Sequence, residues 1–258
     1  MPVLMRPWGH MHFVDSGPKD APAILFANAL GTDLRMWHGV TARLPDRCIR
    51  FDTRGHGLSA TPGADWTVQD SAADTVALLD HLTIECAVIA GCSVGGMAAQ
   101  AFGIHHPARA RGLILSNTAA RIGTAESWQD RITAVETGGI ASIADMILDR
   151  WFAKAFRASP DALPWRTMLL RADPAGYVQT CRALSRADLR AGLAGLNLPV
   201  LLLAGSEDLS TPPALVAETA ALIRGAQLLE LQGSGHIPAI DAPAKVASLI
   251  AAFVKDLA

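Results

Sequence analysis

Gly91-Cys92-Ser93-Val94-Gly95 leaves this chain few choices of fold. The five residues follow an apolar run, 87–90, and precede a stretch of helical character, 96–105. G-x-S-x-G between a strand and a helix demands a turn so tight that the serine backbone is strained and its hydroxyl stands exposed at the strand's end. Side chains at Gly91 or Gly95 would collide across it. The helix that starts there leaves its first N–H groups unpaired, so the amide of Val94 is available to a developing negative charge. Ser93 is the expected nucleophile. Cys92 is a chemical rival, but the two glycines frame Ser93, and Cys92 is expected to point into the core.

Around this turn, short apolar runs recur between turn residues: 23–30, 48–51, 87–90, 112–116, 200–204 and Gln227–Leu231. Stretches between several of them, such as 67–82 and 213–223, read as helices. Unbroken apolar runs alternating with helices predict an α/β fold, a mostly parallel, doubly wound sheet covered on both faces. Residues 124–190 break the rhythm and carry no convincing strand. Within them 131–151 reads as helix interrupted at Gly138-Gly139, and Pro160, Pro164 and Pro174 cut the remainder of the segment. The expected layout is a core formed by 1–123 and 191–258, with 124–190 as a helical cap over the sheet's C-terminal edge, where such folds bind ligands.

A serine hydroxyl needs a base. For a strand–turn–helix serine the chain order is nucleophile, acid, histidine. His105, His106 and His236 are the histidines that come after Ser93. The first two lie about a dozen residues along the helix that Ser93 begins, too distant at about 1.5 Å per residue. His236, in Gly233-Ser234-Gly235-His236, is the expected base. The acid should end a late strand, and 200–204 runs into Gly205-Ser206-Glu207-Asp208. Both carboxylates are candidates; the G-x-x-D spacing favours Asp208. Its task is to accept the Nδ1–H of His236 and fix the tautomer. A second oxyanion donor should come just after an early strand, which selects the N–H of Leu30 in Asn28-Ala29-Leu30-Gly31, with the Asn28 side chain pinning the loop.

Together these residues resemble the 3-oxoadipate enol-lactonases of the α/β-hydrolase superfamily. The matching segments are 28–37, Asp52-Thr53-Arg54-Gly55-His56-Gly57-Leu58-Ser59, the Ser93 turn, Asn117-Thr118-Ala119-Ala120-Arg121-Ile122-Gly123-Thr124, and Asp149-Arg150-Trp151-Phe152. They cover nearly the whole chain. The turn and the Asp52–Ser59 loop are general to α/β-hydrolases; the stretch at the cap entrance is more specific. Cys92 and Val94 depart from larger residues expected there, and the surroundings of His236 are also atypical. The resemblance implies a serine hydrolase that opens an acidic enol-lactone through an acyl-enzyme, with no cofactor and no metal. The substrate's acetate arm requires a cation. Arg121, between strand and cap, is the candidate, with a structural tie of cap to core as the competing role. Trp128 lines the pocket or belongs to the cap's core. Arg54 and His56 read as structural.

Two other classes share the pattern: a hydrolase of different small esters, and a non-catalytic ligand sensor. A dehalogenase would need Asp where Ser93 stands. With 22 basic and 24 acidic side chains among 258 residues, net charge supplies no reason to expect nucleic acid or an anionic membrane as partner. No apolar stretch is long enough to span a bilayer, and no signal peptide is expected from the N-terminal residues. The four cysteines, Cys48, Cys86, Cys92 and Cys181, form no C-x-x-C pair and fit small core residues in a reducing, cytoplasmic setting. A small-molecule lactone is the expected partner; oligomeric state is not legible.

Overall fold

The computed structural model describes residues 1–257. Eight strands form one sheet: β1 (Val3–Arg6), β2 (Gly9–Ser16), β3 (Ala23–Ala27), β4 (Arg47–Phe51), β5 (Ala87–Cys92), β6 (Ala110–Ser116), β7 (Val200–Gly205) and β8 (Gln227–Leu231). Their spatial order is β1-β2-β4-β3-β5-β6-β7-β8. β1–β2 and β2–β4 pair antiparallel, and every other pair is parallel. The central β3, β5 and β7 are buried at every position, which is why they read as unbroken apolar runs.

The apolar-run pattern does not mark β1 and β2. In β2 polar His10 and His12 alternate in sequence with apolar Met11 and Phe13, so no unbroken apolar run marks the strand; His12 is nevertheless buried, its Nδ1 2.7 Å from Asp52 Oδ2. β8 lies at the opposite edge, and only Leu231 of its five residues is buried.

Helices Val68–His81, Val94–His105, Pro213–Ala221 and Pro243–Asp256 cover the sheet. Between β6 and β7 the chain is helical, chiefly Ala125–Gly138, Ala144–Trp151, Leu163–Leu170 and Pro174–Arg186. The first of these starts at Ala125, earlier than residue 131, because Thr124 and Ser127 form a reciprocal capping box. It ends at Gly138, with Gly139 next at φ 67°. It packs lengthwise on Pro174–Arg186. Among the described residues, no helix is long and apolar enough to cross a membrane.

Parallel register brings the strand ends level: Ala27 pairs with Phe51 and Gly91, Cys92 with Ser116, Ser116 with Leu203, and Gly205 with Leu231. The loops carrying Leu30, Ser93, Asn117, Asp208 and His236 therefore all leave along one edge.

Candidate active site

Ser93 sits between β5 and the Val94–His105 helix at φ 57° and ψ −120°. A non-glycine residue there costs on the order of 1–3 kcal/mol and persists only when its surroundings enforce it. They do so from both sides. Ser93 N donates to Ser116 O (3.1 Å), and Ser93 O accepts from Thr118 Oγ1 (2.7 Å) and Met97 N (3.0 Å). A Cβ on Gly91 would lie 2.1 Å from Gly95 O, and one on Gly95 would lie 2.5 Å from Ala27 O. Gly95→Ala should therefore cost at least about 1–3 kcal/mol as overpacking and visibly lower the melting temperature. An unchanged thermal midpoint would contradict this account of the turn.

Cys92 is fully buried and donates from Sγ to the carbonyl of His236 (3.4 Å). Burial, chiefly, pushes its thiol well above the usual range, so it is inert as a nucleophile. Its role is to support the loop that carries the histidine.

His236 Nδ1 lies 2.8 Å from Asp208 Oδ2. Asp208 Oδ1 accepts the N–H groups of Ser210 (2.7 Å) and Thr211 (2.9 Å), and Oδ2 also accepts Thr211 Oγ1 (2.7 Å) and Asn117 Nδ2 (2.9 Å). Burial alone would raise this carboxyl. The charge of His236 and the donors from His236, Asn117 and Thr211 outweigh burial and hold it below the usual carboxylate range. A depressed native pKa contributes stability above the unfolded carboxylate value, lost as pH falls through the folded one. Asp208→Asn should accordingly flatten the acid limb of a plot of urea midpoint against pH. Glu207, the other candidate, is exposed; its carboxylate accepts the Lys154 N–H (3.0 Å) at the start of a short cap helix. Of the two carboxylates, Asp208 is the one that meets His236.

The segment around His236 is held from both sides. Asp241 accepts Ser234 Oγ and the Gly235 N–H (2.7 Å), and Ile237 N donates to Trp151 O of the cap (3.2 Å). Asn117 is a site residue that the sequence pattern alone does not single out. It comes directly after β6 at φ 48°, and its Nδ2 links Asp208 to Gly235 O (3.1 Å). A left-handed Asn at a strand's C-terminal end is its only local signal. Thr211 carries none.

Ser93, 7% exposed, and His236 line one cavity of about 330 Å³ with Leu30, Trp128, Arg131 and Arg150. The side-chain hydrogen bonds of His236 run to Asp208 and Thr211; none reaches Ser93 Oγ among the described residues. Catalytic contacts of this kind commonly tighten only around a substrate. Among the described residues, no protein group accepts the N–H of Leu30 or of Val94.

Trp128 lies on the cavity wall, and its Nε1 donates to Ile122 O (2.6 Å). Arg121 does not reach the cavity. Its side chain is 47% exposed, 4.0 Å from Asp188. Ile122, the next residue, takes the inward place, which turns Arg121 outward. The cations that do line the cavity belong to the cap. Arg131 stacks 5.0 Å from the Trp128 ring centroid. Arg150 is pushed below the usual arginine range by burial and then by the charge of Arg131. Among the described residues, neither makes an ion pair.

This is the sheet, strand–serine–helix turn and acid–histidine pair of a hydrolase built on an α/β sheet. The alpha/beta hydrolase family model matches residues 24–249, and the chain belongs to that family. It is 37% identical to 3-oxoadipate enol-lactonase 2 of Acinetobacter baylyi over 239 residues, covering 90% of this chain and 88% of that one. It is also 37% identical to 3-oxoadipate enol-lactonase 1 of the same organism over 248 residues, covering 94% and 92%. The crystal structure of the enol-lactonase from Burkholderia xenovorans LB400 superposes with a TM-score of 0.94 at 35% identity, over 98% of this chain and 100% of that one. The protein is an ester-hydrolysing enzyme, similar throughout its length to enol-lactonases.

Proposed function

We propose that this enzyme hydrolyses 3-oxoadipate enol-lactone to 3-oxoadipate, a step of aromatic catabolism, through an acyl-enzyme on Ser93. Ser93 Oγ attacks the lactone carbonyl and its proton passes to His236 Nε2, while Asp208 holds the Nδ1–H. The N–H groups of Leu30 and Val94 receive the oxyanion. The ring C–O bond breaks, His236 returns the proton to the leaving enol oxygen, and ketonisation makes departure favourable. Water, deprotonated by His236, then attacks the acyl carbonyl and frees Ser93. Each step uses groups of this chain alone. Four free thiols fit a cytoplasmic setting.

The observation that carries the substrate assignment is the pair of arginines, Arg131 and Arg150, that line the Ser93 cavity without an ion-pair partner among the described residues. A carboxylate entering this cavity loses water, a cost met only where a fixed cation replaces it. Arg131 is braced on Trp128, and a bound carboxylate would relieve the repulsion between Arg131 and Arg150. Losing one partner of a desolvated charge pair costs about 2–5 kcal/mol. Arg131→Ala and Arg150→Ala should each lower kcat/KM for the enol-lactone by about 30-fold or more, at 1.36 kcal/mol per tenfold. Toward a small neutral ester both should stay near wild type, and Arg121→Ala should leave both substrates alike. Equal losses on the two substrates would end the carboxylate-anchor reading. Faster wild-type turnover of neutral esters than of the acidic lactone would make the enzyme a general esterase.

A further inference from the structure

The loop after β3 has its hydrogen bonds concentrated on one peptide group. Ala29 O accepts Thr32 Oγ1 (2.7 Å), Asn28 Nδ2 (3.0 Å) and Thr32 N (3.1 Å). This carbonyl shares a planar, trans peptide with the Leu30 N–H, so the two point in opposite directions. Donors that fix the carbonyl also fix where the N–H aims. They polarise it as well, because hydrogen bonds at one end of an amide strengthen donation at the other.

The next peptide is fixed independently. Gly31 N donates to His56 Nε2 (3.0 Å), and the other ring nitrogen of His56 lies 2.9 Å from Arg54 O. Those partners assign the neutral tautomer with its proton on Nδ1, and burial holds the ring's pKa below its usual value. Asn28 ties the same loop to the loop that follows β4 by accepting the Thr53 N–H (2.9 Å). Asn28, Thr32 and His56 are all buried.

We infer that Thr32 and His56 are positioning residues of the reaction, a clamp on the two peptides flanking Leu30 that aims its N–H at the oxyanion. The inference rests on the roles proposed for Leu30 and Ser93. It also gives His56, otherwise a member of a loop general to the family, a task in the chemistry.

Two pairs of variants test it. Thr32→Val keeps the shape and removes the donor, whereas Thr32→Ser keeps the donor. His56→Asn keeps a donor for Arg54 O and removes the acceptor for Gly31, whereas His56→Gln can keep that acceptor. A trifluoromethyl ketone, which adds to the serine as a tetrahedral oxyanion, is the probe alongside ester turnover. Thr32→Val and His56→Asn should each lower kcat about tenfold or more, within the hundredfold or greater loss expected when an oxyanion donor is removed altogether. KM should be unchanged, and affinity for the ketone should fall by the same factor. Thr32→Ser and His56→Gln should restore both. Should Thr32→Val not fold, the His56 pair carries the test alone. Losses that track melting temperature, that leave ketone affinity untouched, or that are equal within each pair overturn the clamp. A wild-type enzyme that forms no ketone adduct overturns instead the Ser93 reading beneath it.

Discussion

Ser93→Ala is expected to lower kcat about a million-fold, the scale of removing the nucleophile from a serine–histidine–acid unit. What remains should be the roughly thousand- to ten-thousand-fold advantage over water that binding and oxyanion donors provide without the nucleophile. The fold should survive, because the strained turn is enforced by Ser116, Thr118 and Met97 rather than by the serine hydroxyl. Labelling by a fluorophosphonate should vanish in the same variant. Persistent labelling would point to Cys92, the neighbouring candidate, which burial and its bond to the His236 carbonyl argue against.

Asp208→Asn should cost about ten-thousand-fold in kcat, for a reason visible in the hydrogen bonds. Oδ1 accepts two backbone N–H groups, so an amide there must keep its oxygen on that side. Its NH2 then faces His236 Nδ1, Thr211 Oγ1 and Asn117 Nδ2. Facing a donor, Nδ1 becomes the acceptor and the proton moves to Nε2, the wrong tautomer for a base. Asn117 meets a second donor, so some stability is lost too. Glu207→Gln should leave kcat close to wild type, since that side chain holds only the Lys154 amide. Kinetic collapse of the Glu207 variant with a working Asp208→Asn would reverse the assignment.

These two variants probe residues that are legible in the sequence, because local pattern points to each. A glycine-framed serine between an apolar run and a helix can adopt few conformations. His236 is selected by chain order and by the distance that excludes His105 and His106. Glu207 and Asp208 are harder to separate: adjacent residues leave a strand in opposite directions, and only the partner across the site decides which is inside. Asn117 and Thr211 escape for the same reason, since a polar residue after a strand has no local mark of the carboxylate it supports.

Local pattern also determined the central sheet, where strands buried on both faces must be continuously apolar, and it marked the strand-free helical stretch between β6 and β7. It did not determine which cap side chain enters the cavity. Arg121 lies beside the strand's end in sequence, but Ile122 takes the inward place and leaves Arg121 to solvent and Asp188. Arg131 and Arg150 come from separate helices, joined across a glycine break, and share the wall of the Ser93 cavity only through the way those helices pack. Helix periodicity states which residues share a face; which face looks at the nucleophile depends on contacts between cap and core, distant in sequence, and these exist only in the folded chain.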